Sequence, residues 1–325
     1  GLGGIGLGSV GLGILGIGFV GVFLIGVGFL GIGLVGIGLV GNGGIGSGIL
    51  RDIGCFFTGQ TDLRCGSEDS SEMERRRYLI DRLKKVDCEH GYEVWFQPTK
   101  CLSTGRFCSM EALIRLREPD GKLISPGEFI PVAEQTGLIS PVTWFVLEEV
   151  CRILKNNPEL GDVSVSINMP QTQLLEKGFI PRFTGIVDQA GIDHRRICIE
   201  FTERAILENF HQTLEVMEQL TQDGFRFYLD DFGTGYSCLN HIREFPFDVI
   251  KVDQSFVKDL AEDAYSQSFI KLVAELAETI GVSICVEGIE TEEQYWVLEG
   301  MRVRMVQGYY FDKPMPQADF AKKYV

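Results

Sequence analysis

The stretch FYLDDFGTG, residues 227–235, places two adjacent carboxylates, Asp230 and Asp231, at the end of an apolar run and follows them with glycines. Neighbouring anions repel, so something positive is expected beside them. Polar residues of the same kind recur at the ends of other β-rich runs. Glu111 stands in SMEALIRL (109–116), Asn168 ends DVSVSIN (162–168), and Glu200 lies in RICIEF (196–201) with Glu203 just beyond. Lys251 and Asp253 stand in DVIKVD (248–253), Glu287 ends VSICVE (282–287) with Glu290 after it, and Gln307 lies in RMVQGYY (304–310). Each has an ordinary structural reading: a strand-end carboxylate caps a helix or faces water, Asn168 caps the next helix, and Lys251 pairs with Asp253. Those readings leave the recurrence on every run from the second to the eighth unexplained. Carboxylate and amide oxygens without histidine or cysteine favour hard cations, Mg2+ or Mn2+. Several acids and one asparagine suffice for two ions ~3.5–4 Å apart, the separation used in phosphoester hydrolysis. Asp230 would then bridge the ions, Asp231 would reach one of them from the loop, and the glycines would let that loop turn tightly.

The elements that position these residues alternate in type. Besides the runs above, EVWFQP (93–98) and FRFYLD (225–230) read as strands, and helical stretches lie at 141–157, 206–224 and 268–281. Gly224 and Gly281 stand where helix C-caps belong, and Thr291 with Glu292 and Glu293 opens a further helix. Eight strand-like runs over roughly 250 residues match a (β/α)8 barrel, whose C-terminal mouth would gather all the polar strand ends; a doubly wound open sheet is the rival. The first two runs are joined only by TKCLSTGRFC (99–108). That is too short for a helical crossover, so an irregular antiparallel first strand is expected. In DVSVSIN, alternation puts Val163, Val165 and Ile167 on one face and Ser164, Ser166 and Asn168 on the other. Glu111, Leu113 and Arg115 likewise share a face, and buried charge there needs partners.

A net charge of -15 over 325 residues argues against an electrostatic grip on DNA, RNA or anionic lipid. The nine cysteines are scattered with no CxxC and only four histidines accompany them. Reduced thiols are expected, with neither a disulfide framework nor a zinc site. Composition shifts near residue 51. Residues 1–50 are uncharged and about half glycine, 51–72 read as a polar linker, and the periodic pattern begins near 73 and runs to 325. Residues 10–40 exceed the ~20 residues that span a bilayer, and glycines recur there in five-residue steps suited to close helix packing. So much glycine also weakens a helix, by roughly 1 kcal/mol per residue against alanine. A membrane anchor and a low-complexity tail both stay open. For an anchor, Arg51, Arg64, Arg75, Arg76 and Arg77 put the barrel on the cytosolic side of the membrane.

Over residues 73–325 an ordered set of motifs carries a family resemblance. These are FQPT (96–99), EALIR (111–115), SPGEFIPVAEQTGLI (125–139), SINMPQTQL (166–174), IEFTE (199–203), DDFGTGYSCL (230–239), IKVD (250–253), VEGIET (286–291) and QGYYFDKP (307–314). In them the chain resembles the EAL-domain family of bacterial cyclic di-GMP phosphodiesterases. The resemblance implies hydrolysis of cyclic di-GMP to linear pGpG with two Mg2+ or Mn2+ ions. It implies one ion on Glu111, Asn168, Glu200 and Asp230 and the other on Asp230, Asp231 and Glu287. Lys251, Glu111 and Glu287 would be catalytic, Lys251 by contacting the attacking water. Gln97, Leu113, Arg115, Asp253 and Gln307 would contact substrate, with Gln307 also supporting the site from behind. Glu203 and Glu290 would be anchors, Glu203 of the DFGTGYS loop that the family uses to join metal binding to dimerisation, and a homodimer is expected. Departures are mild: Thr99 replaces a common Ile, Phe201 a common Leu and Cys238 a usual Ser. Some relatives of this kind bind the nucleotide without cleaving it, so a receptor is the alternative function. The GEF at Gly127-Glu128-Phe129 lacks the rest of a cyclase signature.

Overall fold

The computed structural model describes residues 63–86, 91–203, 209–235 and 241–325. The chain divides into two units, Gly1–Arg75 and Arg76–Val325. The candidate membrane segment at 10–40 lies outside the described residues, as does Cys238. Among the described residues, no helix is long and apolar enough to cross a membrane. The first described element, helix α1, covers Leu63–Lys85, so it begins ten residues before 73, inside the stretch read as a linker.

The second unit is built on strands β1 (Tyr92–Cys101), β2 (Phe107–Arg117), β4 (Ser164–Asn168), β5 (Ile197–Thr202), β6 (Arg226–Phe232), β7 (Val249–Val252), β8 (Ser283–Val286) and β9 (Met305–Gln307). Two short strands, β3 (Leu123–Ile124) and β10 (Met315–Pro316), flank the set, pairing with β2 and β1. From β2 through β4, β5, β6, β7 and β8 to β9 every pairing is parallel. Strand β1 pairs antiparallel with both β2 and β9, which closes an eight-stranded barrel. The irregular first strand is therefore present, and the open-sheet rival is set aside. The principal helices are α2 (Pro126–Thr136), α3 (Ile139–Asn156), α4 (Phe179–Ala190), α5 (Phe210–Gln222), α6 (Ala264–Ile280), α7 (Glu292–Leu298) and α8 (Gln317–Tyr324).

Helix boundaries follow local chemistry. Asp263 accepts backbone N–H groups at the start of α6, and Gly281 ends it in the left-handed region at φ 80°. Thr291 opens α7 through a capping box whose other half is Gln294 rather than either neighbouring glutamate.

Strand alternation separates two environments. Ile197, Ile199 and Phe201 of β5, Phe227 and Leu229 of β6, Ile250 and Val252 of β7, and Ile284 and Val286 of β8 join the apolar layer shared with the helices. The intervening residues turn inward. The lower inward positions form a small buried cluster of Cys198, Tyr228, Val249, Cys285 and Met305. Ser109 and Ser164 hydrogen-bond one another beside it, as the polar face of DVSVSIN requires. Two residues further along these strands stand Glu200, Asp230, Lys251, Glu287 and Gln307. Fully burying one large apolar side chain contributes ~1.5–3 kcal/mol. Phe96, Phe183, Phe201 and Phe227, all fully buried, make the outer layer the main stabilising element.

Candidate active site

The inward polar positions meet at the C-terminal ends of the parallel strands. At their centre is the Lys251 ammonium. Its Nζ lies 3.3 Å from Glu111 Oε1, 3.0 Å from Glu200 Oε1, 3.3 Å from Asp230 Oδ1 and 2.6 Å from Glu287 Oε2. The Lys251 side chain is 4 % exposed, Glu200 is 0 % and Glu287 is 18 %. An ammonium has three protons, and here four carboxylates surround it. Only Glu111 and Glu200 lie along hydrogen-bond directions. Asp230 Oδ1 and Glu287 Oε2 are close enough for ion pairing but off those directions. They and Glu200 Oε2 are buried oxygens without a hydrogen bond.

One ammonium cannot neutralise four carboxylates. Burial first, then repulsion from neighbouring acids, pushes Glu200 up to about 8 against the pull of Lys251. Asp230 and Glu287 are raised for the same reasons, Glu287 well above the usual carboxylate range. Burial also acts on Glu111, but Lys251, Gln307 and Asn168 outweigh it and hold that carboxyl below its ordinary value. The Lys251 ammonium loses solvation but is held charged by its four acids, Asp230 and Glu111 foremost.

The two adjacent aspartates reach the site through an irregularity. In a regular strand their side chains would point to opposite faces. Here the pairing of β6 with β7 shifts register between Leu229 and Phe232, and Asp231 adopts φ 55°, rare for a residue with a Cβ. Such strain persists only where surroundings enforce it. Asp231 is half-buried, and burial, Asp230 and Asp253 lift it to about 6. Gly233 follows at φ 101°, where a Cβ would lie 2.7 Å from the Phe256 ring and 2.9 Å from that of Phe269. Its N–H donates to the buried Glu203 carboxylate at 3.4 Å. The loop start is thus pinned from both sides; residues 236–240 lie outside the described set.

Amides brace the acids. Asn168 donates to Glu111 Oε2 at 3.2 Å, and Gln307 donates to Glu111 Oε1 at 2.8 Å. Gln97 donates to the Asp312 carbonyl at 3.1 Å and accepts from Gln307 at 3.5 Å. Thr99, one of the departures from the resemblance, donates to Gln307 Oε1 at 2.6 Å. After Gln307 the chain passes so close to Ile289 that a Cβ on Gly308 would fall 2.1 Å from its carbonyl oxygen.

The remaining residues separate. Arg115 and Leu113 are half-buried, and the guanidinium lies 5.2 Å from the Trp95 ring centre. Tyr309, exposed and beside the Lys313 ammonium, acts electrostatically on Arg115. Trp95 and Tyr309 escape a reading based on acids and amides, and only the aromatic content of VWFQP and QGYY hints at them. Asp253 accepts from Ser255 N–H as a helix cap, and Lys251 pairs with the four acids rather than with Asp253. The Glu290 side chain is exposed, and what is held there is its backbone N–H, donated to Gln294.

Among the described residues no three His, Cys, Asp or Glu side chains stand in a metal-holding arrangement. The lysine occupies the space between the acids. The donor set nevertheless fits a hard divalent cation, being all oxygen and setting four carboxylates against a single ammonium.

Residues 87–314 match the EAL domain family. The chain is 34 % identical over 238 residues to the cyclic di-GMP phosphodiesterase PdeL of Escherichia coli (strain K12), covering 73 % of this chain and 66 % of that protein. It is 33 % identical over 248 residues to the cyclic di-GMP phosphodiesterase PdeR of the same organism, covering 76 % and 37 %. The chain therefore spans from about a third to two thirds of the length of these relatives. Among solved structures, the PaMucR phosphodiesterase in complex with c-di-GMP superposes with a TM-score of 0.71 at 29 % identity, covering 75 % of this chain and 99 % of that one. An EAL domain protein from Listeria monocytogenes EGD-e gives 0.66 at 27 % identity, covering 75 % and 95 %.

Proposed function

The chain belongs to the EAL domain family, and from that premise we propose that it hydrolyses one phosphodiester of cyclic di-GMP to give linear pGpG. The observation that carries the reading is the group of four acids, the buried Glu111, Glu200 and Asp230 and the half-buried Glu287, crowded around a single lysine. Two divalent ions, Mg2+ or Mn2+, would be held by Glu111, Asn168, Glu200, Asp230, Asp231 and Glu287. When bound, such ions activate water and offset charge developing on the phosphodiester.

The chain's own residues do the rest. Asn168 spends its N–H on Glu111, which leaves its Oδ1 as the atom for a cation. Gln307 and Asn168 between them fix both Glu111 oxygens. Lys251 keeps a positive charge in the pocket, would contact the attacking water and would stabilise the charge developing on the phosphoryl oxygens. Water adds to phosphorus as the bond to the 3'-oxygen breaks; the water oxygen stays on phosphorus and one of its protons passes to the 3'-oxygen, which leaves as a hydroxyl. Arg115, Leu113, Gln97, Gln307 and Asp253 line the substrate side, with Trp95 and Tyr309 adding flat surfaces on which a base can stack. The functional unit is the barrel at 73–325, a cytosolic homodimer whose Glu203 anchors the loop after β6.

The competing reading is a receptor that binds cyclic di-GMP in the same pocket without cleaving it. Incubating purified full-length chain with cyclic di-GMP and Mn2+ and resolving products by chromatography separates the two. The phosphodiesterase reading expects pGpG; bound nucleotide recovered intact favours the receptor.

A further inference from the structure

We propose that the Thr99 hydroxyl is a positioning group for the candidate metal site, acting on Glu111 through the amide of Gln307; this rests on the divalent-cation reading above. Thr99 sits at the bulge of β1, in register with Ser109 of β2 on one side and Gln307 of β9 on the other. It thus stands between the strand that carries Glu111 and the strand that carries Gln307. Thr99, Gln307, Gln97 and Glu111 are all buried, so a group that loses its partner finds no water to replace it.

The orientation of the two amides follows from what lies at the ends of the chain of bonds. The Asp312 carbonyl only accepts, so Gln97 must turn its NH2 toward it, at 3.1 Å. That aims Gln97 Oε1 at Gln307. Glu111 as a carboxylate also only accepts, so Gln307 must turn its NH2 toward both, at 2.8 Å to Glu111 Oε1 and 3.5 Å to Gln97 Oε1. The Gln307 carbonyl oxygen is then directed at Thr99, whose hydroxyl donates to it at 2.6 Å. Without that donor the oxygen is buried and unpaired. Rotating the amide to relieve it would aim an oxygen at the Glu111 carboxylate. The hydroxyl therefore favours the one amide orientation that supports Glu111 Oε1. Nothing about the fold demands it there, since an apolar β-branched side chain has the same shape and suits a strand.

The test uses Thr99→Val, which keeps shape and removes the donor, and Thr99→Ser, which keeps the donor. Mn2+ affinity is measured calorimetrically on the full chain, and turnover of cyclic di-GMP is followed against Mn2+ concentration. Thr99→Val is expected to bind Mn2+ about 10-fold more weakly, the lower end for groups that orient metal ligands, and to regain turnover in excess Mn2+. Thr99→Ser should stay within about twofold of wild type by the same measure. On a Gln307→Ala background Thr99→Val should add no further loss, because both act through one amide. If Thr99→Val does not fold, Thr99→Ala takes its place with the same expectation. Wild-type affinity in Thr99→Val, or full additivity with Gln307→Ala, overturns the proposal. A wild-type chain that binds no Mn2+ overturns it together with the metal-site reading, so the two failures are distinguishable.

Discussion

Two layers inside the barrel are built by the same strands on the same face, two residues apart, and they behave in opposite ways. The lower layer, Cys198, Tyr228, Val249, Cys285 and Met305, is a buried cluster of ordinary core residues. The upper layer replaces them, strand by strand, with Glu200, Asp230, Lys251, Glu287 and Gln307, and leaves three carboxylate oxygens without hydrogen bonds. Backbone geometry is common to both, so it explains where each side chain points but not what the layer does. The lower layer is optimised for packing. The upper one carries an excess of negative charge that costs stability unless a cation offsets it, which is the signature of a site rather than of a core.

The sharpest way to break this contrast is to truncate one residue in each layer. Asp230→Ala or Glu111→Ala should lower turnover of cyclic di-GMP by more than about 10³-fold, because cation charge stabilisation amounts to several kcal/mol. Met305→Ala should instead destabilise the fold by ~2–5 kcal/mol through a cavity while leaving kcat nearly unchanged. Steady-state kinetics with denaturant melts would show both, and a Met305→Ala that loses activity as Asp230→Ala does would erase the distinction.

Lys251 offers the next largest effect. Lys251→Ala should retain metal but lower kcat about 10²-fold, in line with loss of one preorganised charge at a reacting centre. In EDTA the same variant should melt well below wild type, since the buried acids lose their ammonium, and Mg2+ should restore most of the difference. Near-full turnover in the variant would remove Lys251 from the chemistry.

Glu203→Ala should act more mildly, roughly 10-fold on rate, the scale typical of groups that hold a ligand in place. It frees the Gly233 N–H and with it the start of the loop that follows Asp231. Sedimentation should show a weaker dimer. Unchanged rate and unchanged sedimentation would disconnect Glu203 from the site.

The smallest effect is a pH slope. Glu200 is held near 8 and Asp231 near 6, both by burial and neighbouring acids. Above their ordinary range these groups keep protons in the folded chain that the unfolded chain has released. Stability of the metal-free protein is therefore full below about pH 4–5 on their account and declines as pH rises toward 8. Thermal melts in EDTA from pH 5 to 8 should show that decline, and saturating Mg2+ should flatten it. A melting temperature that rises with pH in EDTA would contradict the strain assigned to the upper layer.

Much of this was legible in the residues. Alternation in DVSVSIN separates an apolar face from a small polar one, and the short link at 99–108 makes the first strand antiparallel. Glu111, Asn168, Glu200, Asp230, Lys251, Glu287 and Gln307 do meet. What was not legible depends on geometry that residue types do not encode. The left-handed turn at Asp231 arises where β6 slips against β7, and only that slip brings two successive aspartates to one site. Lys251 reads equally well as a partner of Asp253, two residues away on the same face. Its place among four acids follows from barrel closure, which brings Glu111 of β2 across to β7. Thr99 looks like a neutral exchange until its register with Gln307 is known. Glu290 looks like one more converging acid, yet its side chain faces solvent while its backbone serves the capping of α7.

Mn2+ stoichiometry decides whether the upper layer is a cation site. Calorimetric titration of the metal-free full chain, in parallel with Asp230→Ala, reads how many ions the upper layer accepts. Saturable binding of about two ions is expected of the wild type, the number used in two-metal phosphoester hydrolysis, with its loss or halving in Asp230→Ala. Absence of saturable binding in the wild type, or identical isotherms for the two proteins, would contradict it.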